Sequence, residues 1–124
     1  MKKATLERLT PKEEELMEYL WELGEASPRE LSLKHPEPQP HVNTLATVLL
    51  RLEEKGYVER VQRSRGSAYR PLVAIEDYGR NRISNFIHRY FGNSYLSAVS
   101  AFVEEEKISE EELMALLQTL QKKS

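Results

Sequence analysis

The chain has 124 residues, a net charge of −2 and 40% hydrophobic residues, which suits one domain or a small domain with an appendage. It contains no cysteine, so disulfides, thiol redox sensing and thiolate metal sites are excluded. No apolar run reaches the ~18 residues of a membrane span, and the start lacks the apolar segment of a signal peptide, so we expect a cytoplasmic protein without membrane insertion.

Helix starts are marked by three capping boxes, in which a hydroxyl and a Glu three residues later bond each other's backbone N–H groups. These boxes begin at Thr10, Ser27 and Ser109. The first predicts a helix over residues 11–23, and the second predicts a short helix over residues 28–34. The proline-rich stretch 35–40 cannot be helical and predicts a turn.

A third helix is predicted over His41–Lys55. Its apolar residues recur at helical spacing and predict a core face made of Val42, Leu45, Val48, Leu49 and Leu52. The remaining polar positions suit base edges and phosphates of DNA in a groove, and they are Asn43, Thr44, Thr47 and Arg51. An ordinary solvated face is the alternative interpretation.

A β-hairpin is predicted directly after this helix, with strands over residues 57–61 and 68–72. Its turn carries Arg63 and Arg65, and no acidic residue lies nearby in sequence to pair with them. A helix followed by an arginine-tipped hairpin is typical of a winged helix-turn-helix, so the sequence predicts binding to double-stranded DNA. Alternatively, the arginines only keep the hairpin soluble and protect its edge.

Three further helices are predicted over residues 75–91, 94–106 and 110–122. We therefore expect a winged-helix domain over residues 1–73 and a helical region over 74–124, in a mainly α protein with a small β-hairpin. About 45 residues can hardly form an independent core, yet this tail is rich in apolar side chains. A second copy would cover them, and the residues predicted for this homodimer contact are Phe86, Tyr90, Val99, Phe102, Leu113, Leu117 and Leu120. A ligand pocket is the alternative for the aromatic residues.

Catalytic patterns are absent from the sequence. There is no glycine-rich phosphate loop, no nucleophile with a plausible base, and no shared ligand spacing among the three histidines. We expect neither an enzyme nor a metal or cofactor site.

Four segments carry a family resemblance: EEELMEYLWELGEASPREL, VLLRLEEKGYVERV, SAYRPLV and AFVEEEKISEEELMALL. Through them the chain resembles the penicillinase-repressor family of bacterial transcription regulators, the BlaI/MecI type, over about Leu9–Lys122. The resemblance implies a homodimer that represses transcription from a palindromic operator. It also implies release by proteolysis in the dimerisation tail, triggered by a membrane sensor protease that detects β-lactams, and hence a link to antibiotic resistance.

The bond cleaved in this family is usually Asn-Phe, and the corresponding residues here are Ala101 and Phe102. Copper-responsive members bind the metal through tail cysteines, which this chain lacks. Two functions therefore remain as hypotheses. The first is a dimeric sequence-specific repressor, and the alternative is a winged-helix adaptor that binds a protein instead of DNA. Strong salt dependence of duplex binding would favour the first.

Overall fold

The computed structural model describes residues 6–123, with side chains as far as residue 119, and this range holds six helices and a two-stranded antiparallel sheet. The elements are α1 (Pro11–Leu23), α2 (Pro28–Lys34), α3 (Val42–Glu54), β1 (Val58–Gln62), β2 (Ser67–Pro71), α4 (Ile75–Phe91), α5 (Tyr95–Glu104) and α6 (Glu110–Lys123). The predicted class, mainly α with one hairpin in winged-helix order, is confirmed. The chain divides into two compact units, Met1–Arg80 and Asn81–Ser124, and the boundary in the sequence falls within α4. The functional division at residues 73–74 stays a prediction.

All three predicted capping boxes are present. The Thr10 hydroxyl accepts the Glu13 N–H at 3.2 Å, and the Glu13 carboxylate accepts the Thr10 N–H at 2.9 Å. The box at Ser27 has the same pair of distances, 3.2 and 2.9 Å, and the box at Ser109 has 3.0 and 2.9 Å. Each cap satisfies backbone donors that a helix start leaves free, which stabilises the helix by about 1 kcal/mol.

The core of the first unit lies between α1, α2 and α3. Its fully buried side chains from these helices include Leu16, Met17, Leu20, Leu31, Leu45, Leu49 and Leu52. Val42 was predicted to share this core face, and that prediction is wrong, because Val42 is 37% exposed. At 100° per residue, Val42 lies about 70° from the centre of the buried stripe of α3, at its edge.

A buried ion pair joins the start of α1 to the end of α3. The Lys55 ammonium donates to a Glu13 carboxylate oxygen at 2.7 Å and to the Arg8 carbonyl at 2.8 Å. Glu13 is fully buried. Burial by itself raises the pKa of Glu13, but the hydrogen bonds from Lys55 and Thr10 outweigh it and leave this pKa below its ordinary value. The pair therefore stabilises the folded first unit while Glu13 is ionised.

The hairpin, formed by β1, β2 and the turn between them, is attached to the segment that connects α1 to α2. Its register pairs Val58 with Pro71 and Gln62 with Ser67. Ala26, in the connecting segment, exchanges two backbone hydrogen bonds with Tyr69 of β2, at 3.0 and 2.8 Å. These backbone bonds hold the middle of β2 against the segment that connects α1 to α2.

The first residues of α4 also belong to the first unit. The Tyr78 ring is buried beside Trp21 and Tyr57, and its hydroxyl donates to Glu14 at 2.9 Å. The Trp21 indole donates to the Val73 carbonyl at 2.8 Å. These contacts fix the exit of the chain from the hairpin.

The second unit contains the rest of α4 together with α5 and α6. Among its described side chains, the buried hydrophobic ones are Ile87 and Ala98. The large exposed ones include Ile83, Phe86, Tyr90, Tyr95, Leu96, Phe102, Met114, Leu116 and Leu117. Within the described residues, no helix has the length and apolar character needed to cross a bilayer.

Candidate nucleic-acid interface

The face of α3 opposite the core is polar and open to solvent. All four of its predicted DNA-binding side chains are exposed, namely Asn43, Thr44, Thr47 and Arg51. The Thr47 hydroxyl donates to the Asn43 carbonyl at 3.1 Å. The side chains of the other three form no hydrogen bond or ion pair with any described residue, so their donors and acceptors remain available to bases and phosphates.

The start of α3 is held by its own N-cap and by the preceding turn. The His41 imidazole Nδ1 accepts the Asn43 N–H at 3.1 Å. The Ser32 hydroxyl, on α2, donates to the Pro40 carbonyl at 2.8 Å. Since recognition helices contact bases mainly through their N-terminal residues, these bonds position the part of α3 that matters most.

Leu50 also lies on this outer face, and the sequence reasoning missed it. Its side chain is 46% exposed. At 100° per residue it lies only about 20° from Asn43 around the helix. The sequence did contain a signal, because Leu50 is out of phase with the stripe formed by Leu45, Val48, Leu49 and Leu52. An apolar side chain in this position can contact a thymine methyl group.

We expected no acidic partner for Arg63 or Arg65, and for Arg63 this expectation is wrong. Two further arginines of the hairpin are also paired. Arg60 bonds Glu53 of α3 at 3.0 Å, and Arg70 bonds Glu59 across the hairpin. Arg63 bonds both Glu25 and Glu30. Arg65 differs from these three arginines, since it is exposed and has no ion pair with any residue that the structure describes. The cationic surface of the hairpin is therefore smaller than the sequence suggested.

The contacts of Arg63 use most of its guanidinium group. Nε and Nη2 donate to Glu25 at 3.2 and 3.1 Å, and Nη1 donates to both oxygens of Glu30 at 3.1 and 3.0 Å. The pKa of Glu30 is lowered, first by the Ser27 N–H and then by Arg63, and the pKa of Arg63 is raised, chiefly by Glu30. The two acids precede Arg63 by 38 and 33 residues, so no local pattern could reveal them.

The residues predicted for dimerisation are largely exposed in the single chain. Phe86, Tyr90, Phe102 and Leu117 are between 42% and 63% exposed. Val99 and Leu113 are half-buried, and the side chain of Leu120 lies outside the described residues. The Phe86 and Tyr90 rings contact each other with centroids 4.9 Å apart.

The Ala101–Phe102 bond, the predicted cleavage position, lies inside α5. Ala101 is half-buried and Phe102 is 42% exposed. Because proteolysis acts on locally opened chain, this helix would have to unwind before the bond could be cut. The described residues contain no group of three or more His, Cys, Asp or Glu side chains that could hold a metal ion.

The first unit is a winged helix-turn-helix, in which α3 has the position of the recognition helix and the hairpin is the wing. The chain belongs to the penicillinase repressor family, whose sequence model matches residues 9–122. Membership of a repressor family agrees with the expectation that the chain is not an enzyme.

Two of the similar proteins illustrate how these relatives are named, one for methicillin resistance and one for penicillinase. MecI of Staphylococcus aureus strain N315, a methicillin resistance regulatory protein, is 32% identical over 80 residues, which are 64% of this chain and 65% of MecI. The penicillinase repressor of Bacillus licheniformis is 32% identical over 78 residues, 63% of this chain and 61% of that protein. The matches thus span slightly less than two thirds of each relative. The crystal structure of oxidized MarR from E. coli has a TM-score of 0.45 at 21% identity, covering 92% of this chain and 74% of MarR.

Proposed function

We propose that the protein is a homodimeric transcriptional repressor that binds a specific double-stranded DNA operator. The observation that carries this proposal is the outer face of α3, where the side chains of Asn43, Thr44 and Arg51 are exposed and form no hydrogen bond or ion pair with any described residue. Small polar side chains beside one arginine, on a helix held at its start, match what base reading in a major groove requires. Membership of the penicillinase repressor family supports the same function.

In the proposed complex, α3 enters the major groove and the hairpin lies over the flanking backbone. Asn43, Thr44 and Thr47 contact base edges, since they lie in the first two turns of the helix. Arg51 and Arg65 contact phosphates, because both guanidinium groups are exposed and unpaired within the described chain. Base contacts set the sequence preference, and phosphate contacts set the register and most of the salt dependence.

The dimer forms, in this proposal, through the second unit. That unit exposes Phe86, Tyr90, Phe102 and Leu117, which a monomer would leave in water. A second copy offers the same surface and covers it by two-fold symmetry. Two linked winged helices then match a palindromic operator, and the linkage can raise affinity by ~10²–10⁴ over one half-site.

Release from DNA follows, in this proposal, from cleavage between Ala101 and Phe102 by a sensor protease. The cut would separate α6 from the rest of the chain and remove Leu113 and Leu117 from the dimer surface. The winged helix would stay folded, because its core lies within the first unit. Genes of β-lactam resistance are the proposed targets, since the matched relatives are named for methicillin resistance and penicillinase.

Selection of duplexes from a random-sequence library by the full chain tests the proposal. We expect enrichment of a palindromic sequence and a steep loss of affinity as salt concentration rises. Sedimentation at micromolar concentration should show a dimer. Failure to enrich any duplex, or a monomer that binds DNA as tightly as expected for two linked half-sites, would contradict the proposal.

A protein–protein adaptor is the second candidate. The observation that favours it is the pairing of Arg60, Arg63 and Arg70 with acids, which reduces the cationic surface available to DNA. An adaptor would bind duplex DNA weakly even at low salt, so the same salt titration separates the two functions.

A further inference from the structure

The hairpin is attached at two levels to the stretch of chain that runs from the end of α1 to the first turn of α2. Midway along β2, Tyr69 exchanges two backbone hydrogen bonds with Ala26. Near its tip, Arg63 bonds Glu25 and Glu30, and we call these three side chains the Arg63 network. The residues bonded on the other side, Glu25, Ala26 and Glu30, lie close together in sequence. Together they restrict both translation and rotation of the hairpin.

The second attachment is itself part of a helix cap. One oxygen of Glu30 accepts both the Ser27 N–H at 2.9 Å and Arg63 Nη1 at 3.1 Å. The capping box therefore holds the same carboxylate that bonds the guanidinium. A planar guanidinium held between two carboxylates has a defined orientation, which a single flexible ion pair would not give.

Arg63 is poorly placed to bind a phosphate itself. Its Nε, Nη1 and Nη2 atoms already donate to two carboxylates. A phosphate that approached this guanidinium would also approach two like charges, so the network opposes a third anion. Arg65 has neither obstacle. Only Ser64 separates it from Arg63, and the Arg63 N–H closes the turn on the Gly66 carbonyl at 3.0 Å.

We propose that Arg63 is a positioning residue of the wing, which ties the hairpin tip to Glu25 and Glu30 and so holds Arg65 where it contacts a DNA phosphate. This inference rests on the proposed function. It assigns different roles to two arginines that the sequence alone treats as equivalent. It also predicts that acidic residues, which ordinarily oppose DNA binding, strengthen it at this site.

The test uses the full chain and the duplex that the unmodified chain selects from the random-sequence library. The double variant Glu25→Gln/Glu30→Gln releases Arg63 and raises the net charge by two. Glutamine keeps the capping box, because its amide oxygen still accepts the Ser27 N–H. Charge alone would tighten binding, whereas loss of the positioned wing weakens it, so the sign of the change decides. Glu18→Gln/Glu76→Gln adds the same charge at exposed positions elsewhere and serves as the matched control.

Arginine variants provide the second arm. Arg65→Ala should lower the slope of log K against log salt by about 0.9 per hairpin, as expected for one phosphate. In the otherwise unmodified chain, Arg63→Ala should weaken DNA binding about as much as Arg65→Ala does. In a chain that already carries Arg65→Ala, it should weaken binding by less than about twofold, because the effects of coupled residues are not additive. Arg63→Lys keeps the charge but not the two-carboxylate geometry, so it should resemble Arg63→Ala. Arg70→Ala measures the effect of one lost hairpin charge.

Thermal unfolding of each variant without DNA checks that the fold is intact. Tighter or unchanged binding by Glu25→Gln/Glu30→Gln, relative to its control, would overturn the positioning role. The same conclusion would follow if Arg63→Ala weakened DNA binding as much in the Arg65→Ala chain as in the unmodified chain. It would also follow if Arg63→Lys bound DNA as tightly as the unmodified chain. If the unmodified chain binds no duplex in a salt-dependent way, the proposed function itself fails, which is a different result from these three.

Discussion

The buried ion pair between Lys55 and Glu13 should contribute measurably to the free energy of unfolding of the first unit. The variant Lys55→Met keeps an aliphatic stem of similar length but removes the ammonium group. Among the described residues, the fully buried Glu13 carboxylate then keeps only its hydrogen bond from the Thr10 N–H. Breaking a buried pair by removing one partner typically costs 3–5 kcal/mol.

The expected cost here is smaller, because Lys55 is 20% exposed and the Thr10 bond remains. We expect a loss of about 2 kcal/mol at pH 7, which corresponds to a fall in Tm of roughly 8–16 °C for a unit of this size. The matched control is Lys12→Met, which removes a lysine from the exposed pair with Glu15, where both side chains are 42% exposed. Exposed pairs of this kind contribute about 0.5 kcal/mol or less.

The pH dependence of this loss has a defined sign. In the unmodified protein the pKa of Glu13 lies below its ordinary value of 4.5, so the stabilisation by the pair is complete above that pH and is lost as pH falls. Burial is the largest single contribution to the pKa of Glu13, so we expect that pKa to rise when Lys55 is removed. Protonation then removes the unpaired charge, so the difference between the two proteins should shrink as pH falls from 7 towards 4.5.

Urea denaturation followed by tryptophan fluorescence measures the effect. The chain has one tryptophan, Trp21, which lies in α1 with its indole bonded to Val73, so its emission reports on the first unit. A Lys55→Met midpoint equal to that of Lys12→Met at pH 7 would refute the reasoning. A stability difference that grows towards acid pH would refute the proposed role of Glu13.

The remaining predictions concern DNA binding and assembly. Thr44→Ala and Thr47→Ala should each cost about 1–3 kcal/mol on the selected duplex and little on random DNA, measured as the ratio of the two affinities; an unchanged ratio would place base reading elsewhere. Phe102→Asp should give a monomer in sedimentation with reduced affinity for the palindrome, since it buries an unpaired carboxylate in the proposed dimer contact. A dimer of normal affinity would remove Phe102 from that contact. A chain ending at Ala101 should keep a folded first unit yet bind the palindrome at least roughly tenfold more weakly, whereas equal binding would show that the removed segment does not control occupancy.

The secondary structure was largely predictable because its signals are local. The three capping boxes, at Thr10, Ser27 and Ser109, join residues three positions apart, and each begins the predicted helix. The core face of α3 followed from periodicity, except at Val42, where the stripe ends. The strands lie one residue later and one residue earlier than predicted, since strand ends depend on pairing across the sheet.

Part of the candidate interface was also predictable from the sequence, namely the outer face of α3. Helical periodicity alone placed Asn43, Thr44, Thr47 and Arg51 away from the core, and they are exposed. Leu50 could have been found by the same rule, because its position on the helix is fixed by its number in the chain.

The sequence by itself determined which elements form, because caps and periodicity act within a few residues. Only the tertiary structure decided which hairpin arginines form ion pairs and which one, Arg65, has none within the described part of the chain. Glu25 and Glu30 lie 38 and 33 residues before Arg63, and the fold brings them to it because Ala26 pairs with Tyr69 of the same hairpin. An ion pair depends on distance in space, and sequence separation carries no information about it until the chain has folded.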